Sequence, residues 1–126
     1  MKEIMAVIRL NKIGETKQAL LDENFPAFTG YKVMGRGKAK VNFELVAEEE
    51  VQGNVDAVLA EEISETHRLV PKRLINLIVH DDEVQRAVDA IMKVNSTGHP
   101  GDGKIFVLPV AEAFQVRTGE SGEAVV

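Results

Sequence analysis

With 126 residues, 44% apolar content and only 5% aromatic, the chain has the size of one globular domain with an aliphatic core. Its formal charge of −5, without a basic stripe, argues against a nucleic-acid partner held through phosphate neutralisation. The absence of cysteine excludes disulfides, thiolate metal sites and a cysteine nucleophile, and the short apolar runs exclude a signal peptide or membrane span, so a cytoplasmic domain without membrane insertion is expected.

Residues 4–10, Ile-Met-Ala-Val-Ile-Arg-Leu, form a nearly continuous apolar run, which predicts a strand covered on both faces or central in its sheet. Asn11 is placed to cap the helix that follows, and Ile13, Thr16, Ala19, Leu20 and Leu21 give its inner face. Asn24 and Pro26 end it. Residues 27–33 make a weaker strand anchored by Phe28 and Val33.

From Gly35 to about Val70 no apolar periodicity is sustained, although 51–63 has the length for a short helix. Arg36, Lys38 and Lys40 stand at the entrance and Glu48, Glu49, Glu50, Glu61, Glu62 and Glu65 further on. So long a patternless stretch in a small domain is uncommon and usually functional, which predicts a partner-binding loop that orders on contact.

The second half repeats the plan of the first. Residues 74–79 predict a buried strand, and Asp81 or Asp82 opens a helix with Val84, Ala87, Val88, Ile91 and Met92 on one stripe. Acids in its first turn would oppose the dipole favourably. A strand over 105–110 follows, and then a polar tail. Two strand–helix–strand units predict an α+β fold of the ferredoxin-like, double βαβ kind, an antiparallel sheet with both helices on one face.

The segment Asn95-Ser-Thr-Gly-His-Pro-Gly-Asp-Gly-Lys104 joins that helix to the last strand. Glycine tolerates the positive φ values that a concave nest of backbone N–H donors requires, and Lys104 adds a full positive charge. Gly98, Gly103 and Lys104 match most of a Walker A pattern, but Ile105 supplies no hydroxyl for Mg²⁺ and the loop follows a helix instead of opening one. A phosphate cradle is therefore expected, not a P-loop ATPase. Lys72, Lys104, Arg117, Lys38 and Arg36 all lie near predicted strand ends or glycines, which favours a polyphosphate ligand. His67, His80 and His99 share no metal-ligand spacing, and no Ser-His-Asp set presents itself. The chain reads as a nucleotide cradle with no catalyst, and so not as an enzyme.

Residues Thr97 to Val107, Thr-Gly-x-x-Gly-Asp-Gly-Lys-Ile-Phe-Val, followed by Val116-Arg-Thr-Gly-Glu120, closely resemble the two C-terminal signatures of the PII nitrogen-regulatory proteins. The opening Met-Lys-Glu-Ile-Met-Ala-Val-Ile-Arg, the Gly35-Arg-Gly-Lys38 loop entrance and Pro71-Lys72 fit the same family. The loop entrance, the longer loop and the ending Arg-Thr-Gly-Glu-x-Gly-Glu resemble the NifI branch, and within it the second of two GlnB-like paralogues from nitrogen-fixation gene clusters.

The resemblance implies a single domain over 1–126, assembled as a homotrimer or as a mixed oligomer with a paralogue, with ATP or ADP (and Mg²⁺ with ATP) in each cleft between neighbours. Residues 95–104 would wrap the phosphates through Thr97, Gly98, Gly101, Asp102 and Gly103; Lys104 and Arg117 would pair with them; Lys72 would reach the outer phosphate; Thr29, Gly37 and Lys38 would complete the site. Residues 37–70 would be the effector arm, or T-loop, and 114–126 a C-terminal segment. In the NifI branch the implied target is dinitrogenase, relieved by 2-oxoglutarate. An ammonium channel or glutamine synthetase as target, and a nucleotide-hydrolysing enzyme, stand as alternatives.

The chain departs from the family pattern at three places. Ala39 stands where a glutamine carbonyl helps chelate the Mg²⁺ of the 2-oxoglutarate site, and a methyl group cannot ligate a metal. Val41 replaces a flexible glycine, and Gln115 stands where many members carry a second arginine toward the phosphates.

Overall fold

The structure, a computed structural model, describes residues 1–37 and 69–126. The expected helix over 51–63, Lys38, and the departures at Ala39 and Val41 lie outside the described residues. Contacts divide the chain into one unit of residues 1–33 with 72–126 and another of residues 34–71. In chain order the elements are β1 (Lys2–Arg9), α1 (Ile13–Asp22), β2 (Thr29–Gly35), β3 (Val70–Val79), α2 (Val84–Asn95) and β4 (Gly103–Pro109). They form the expected α+β, ferredoxin-like arrangement, with sheet order β2-β3-β1-β4 and β1 antiparallel to both its neighbours.

Period-two alternation along β1 sends Ile4, Ala6 and Ile8 to one face. Register aligns Ile4 with Leu77 and Val107, and Ala6 with Ile75 and Ile105. Leu20 from α1 and Ala87 and Ile91 from α2 close over these side chains, and all except Ile105 and Val107 are fully buried. β1 is thus an inner strand, but among the described residues no helix covers its second face. Met5, Val7, Leu74, Ile78, Phe106 and Leu108 lie there by register, and Ile78, Phe106 and Leu108 are 38–44% exposed.

Several local expectations are corrected. Asn11 does not cap α1: it sits in a 3₁₀ turn, Leu10–Lys12, and Lys12 occupies the cap position without a side-chain cap. The chain leaves β1 directly into this turn, which also takes Leu10 out of the strand. Leu21 is 53% exposed, because Leu20 occupies the inward position and the next residue turns about 100° away. Met92 is half exposed, because it stands beside β4, an edge strand with no further described strand beyond it. Asp81, Asp82 and Glu83 form a 3₁₀ turn before α2, so its own first turn has no acid. There the Glu83 carboxylate accepts from the His80 backbone N–H at 3.1 Å. The weaker strand starts at Thr29, leaving Phe28 outside it but partly buried against the core.

Candidate functional site

The last turn of α2 anchors the glycine-rich segment. Asn95 is buried, and its amide nitrogen donates to the Thr16 hydroxyl at 2.9 Å and to the Ile91 carbonyl at 2.8 Å, tying α2 to α1 where the loop departs. Thr16 in turn donates to the Lys12 carbonyl at 2.7 Å. The loop therefore begins from a fixed point.

Beyond it, Asp102 turns back across the loop. One carboxylate oxygen accepts the backbone N–H of Thr97 at 2.7 Å and of Gly98 at 3.0 Å. The other accepts the Thr97 hydroxyl and the Arg9 guanidinium. The Thr97 hydroxyl and N–H, then Arg9 and Gly98, hold the Asp102 carboxyl well below the usual range despite some desolvation. So many donors favour its ionised form and tie the two ends of the loop together.

Two cations brace the loop from the sheet. Arg9 ends β1 and lies opposite Lys72 on β3, so antiparallel register sets the two side by side. The second Arg9 nitrogen donates to the Pro100 carbonyl at 3.0 Å, and the Lys72 ammonium donates to the Gly101 carbonyl at 2.9 Å. Gly101, at φ 99°, lies between them: a Cβ there would stand 3.2 Å from the Arg9 guanidinium. Gly103, at φ 115°, opens β4 so close to β1 that a Cβ would meet the Val7 carbonyl oxygen at 1.9 Å. Only glycine fits there.

Lys104 is exposed opposite Val7, on the sheet face away from the helices, with no partner among the described residues. A cavity of about 380 Å³ adjoins the loop on the side of α2, walled by Val88, Ile91, Met92, Ile105 and Val107.

Of the residues expected in the site, the fold gathers Lys72, Thr97, Gly98, Gly101, Asp102, Gly103 and Lys104 around the loop. Thr29 does not join them. It is exposed at the start of β2, the opposite edge strand, three strand spacings or about 14 Å from β4. Arg117 projects from a turn in the C-terminal segment closed by the Phe114–Ser121 bridge, without a partner among the described residues. Gly37 is exposed and belongs to the other unit. Arg9 was not among the expected residues. Its signals in the sequence are a charge at the end of an apolar run and its place in the opening motif, neither of which assigns it to the loop.

Residues 1–120 match the family model for "Nitrogen regulatory protein P-II". The chain is 43% identical over 122 residues to nitrogen fixation nifHD region GlnB-like protein 2 of Methanothermobacter marburgensis, covering 97% of each chain. In Methanothermococcus thermolithotrophicus it is similar to both GlnB-like proteins of the nifHD region, at 44% identity to protein 2 and 36% to protein 1. The former alignment covers all of this chain and 98% of the relative, the latter 97% and 99%. Among solved structures it is similar to Arabidopsis thaliana PII bound to citrate, with TM-score 0.70 and 28% identity over 98% of this chain and 86% of that one. The chain therefore belongs to the nitrogen regulatory protein P-II family of nitrogen-regulation signal transducers.

Proposed function

We propose that this chain is a non-enzymatic regulator that binds ATP or ADP at residues 95–104 and signals to a nitrogen-fixation enzyme through residues 37–70. The observation that carries the reading is the braced loop: Gly98, Gly101 and Gly103 at φ 82–115°, its carbonyls turned toward Arg9 and Lys72, and Lys104 beside it without a partner among the described residues. In a chain of net charge −5 these cations, with the loop's backbone donors beyond those that Asp102 takes up, suit a compact polyanion.

The cleft is completed by a second copy. Thr29 and Arg117 do not reach the loop within one chain, and the apolar sheet face of Met5, Val7, Leu74, Ile78, Phe106 and Leu108 suits burial against identical faces. A trimer, or a mixed oligomer with the first paralogue, places Thr29 and Arg117 of one protomer beside the loop of the next. Lys72 then separates ATP from ADP by exchanging the Gly101 carbonyl for the outer phosphate.

The nifHD-region relatives favour dinitrogenase as the target, and the full-length similarity to bacterial P-II, 39% identical in Bradyrhizobium diazoefficiens, keeps an ammonium channel or glutamine synthetase as the second reading. A capture experiment from ammonium-shocked cells, with and without ATP and 2-oxoglutarate, separates them. Dinitrogenase retained by the intact protein and lost on deletion of residues 42–66 is the expected result. Retention by the deletion variant would contradict the assignment of the arm.

A further inference from the structure

We infer that Arg9 is a positioning residue for anion binding, one that aims the donors of the loop and does not itself touch the ligand. The inference rests on the proposed adenylate site and deepens it.

The argument starts from the planar trans peptide, in which C=O and the next N–H point in opposite directions. The Arg9 guanidinium holds the Pro100 carbonyl, which fixes the plane that also carries the Gly101 N–H. The Gly101 N–H is thereby turned away from Arg9. Lys72 holds the next carbonyl, that of Gly101, a bond that the proposed site gives up to the outer phosphate. The other half of the Arg9 fork grips Asp102, whose carboxylate in turn fixes the N–H groups of Thr97 and Gly98. One guanidinium thus sets two separate stretches of the loop at once. It is mostly buried, charge-compensated by Asp102 and pressed against Gly101, so its own charge is committed before any ligand arrives.

A fork with two nitrogens in fixed relation does this; a lysine ammonium, a point donor on a flexible stem, does not. The consequence is a distinctive pattern of loss. A residue that contacts the outer phosphate matters for ATP more than ADP, and a lysine in its place keeps much of the effect. A residue that orders the cradle matters equally for every polyphosphate, and lysine does not replace it.

The test is calorimetric titration of ATP, ADP and inorganic tripolyphosphate into the wild-type oligomer and its Arg9→Met, Arg9→Lys and Lys72→Met variants, with thermal melts of each. The expected result is a loss of about tenfold for Arg9→Met, the same factor for all three ligands, and little recovery with Arg9→Lys. Lys72→Met should lose more for ATP than for ADP. If Arg9→Met unfolds, Arg9→Lys alone decides, by whether its loss is uniform across the ligands. Affinity unchanged in Arg9→Met, full rescue by lysine, or a loss confined to ATP would each overturn the inference while leaving the adenylate site intact. A wild-type protein that binds none of the three would overturn the site itself, and the inference with it.

Discussion

Arg9 and Asp102, separated by 93 positions in sequence, meet in a charged hydrogen bond that fastens the glycine-rich loop to the end of β1. The pair joins the first strand to the turn before the last one. One contact therefore ties the glycine-rich loop to the sheet.

The state of Asp102 sets the acid limit of the loop. Its folded-state pKa is depressed, chiefly by the Thr97 hydroxyl and N–H. The stabilisation it contributes is fully present above the unfolded aspartate value of ~3.9 and is lost only as pH falls through the lower folded value. Carboxyl-carbon NMR is expected to find Asp102 still ionised at about pH 4, where ordinary exposed aspartates are half protonated. A midpoint at or above that of those aspartates would contradict the hydrogen-bond set.

Gly103→Ala should be severe. The added methyl group would overlap the Val7 carbonyl at a positive φ, so β1 and β4 must part or twist. A cost of about 3 kcal/mol or more in denaturant unfolding is expected. Gly119→Ala, at φ 75° with nothing within 4 Å, separates backbone strain from the clash and should cost only about 1 kcal/mol.

Asn95→Ala removes the link between α1 and α2 and leaves the Ile91 carbonyl without its side-chain donor. A destabilisation of about 1–3 kcal/mol is expected for so buried an amide. An unchanged melting temperature would mean that helix packing alone fixes the start of the loop.

Much of this was legible in the sequence because it depends on local rules. Continuous apolar runs mark β1 and β3, three-to-four spacing marks both helices, and a glycine cluster between helix and strand has few uses other than positive φ. Leu21 and Met92 fall outside the buried face because apolar identity does not report which side of a helix the sheet covers. Asn11 failed as a cap because a 3₁₀ turn, invisible to periodicity, shifted the helix start by two residues. The role of Arg9 at the loop could not be read, although the residue closes the opening motif. Its role depends on register with Lys72 across a strand pair and on a loop at the far end of the chain. The residues 37–70, with no periodicity, yielded only their length and charge.

The sheet face that no described helix covers gives a test of assembly. Phe106→Lys places a charge at the centre of the apolar patch, where Phe106 faces Met5, and spares the helix-side core. Light scattering should find wild-type trimers and variant monomers, since an unpaired charge buried in an interface costs several-fold more than the contact it replaces. Trimers that persist in the variant would place the interface elsewhere.

The most direct measurement is a crystal structure of the protein grown with excess ATP. The account predicts a nucleotide between two protomers, its phosphates against the amides of Gly101 to Gly103 and beside Lys104, with Arg9 still bonded to Asp102 and Pro100. A nucleotide bound away from this loop, or a loop that excludes ATP at saturating concentration, would contradict it.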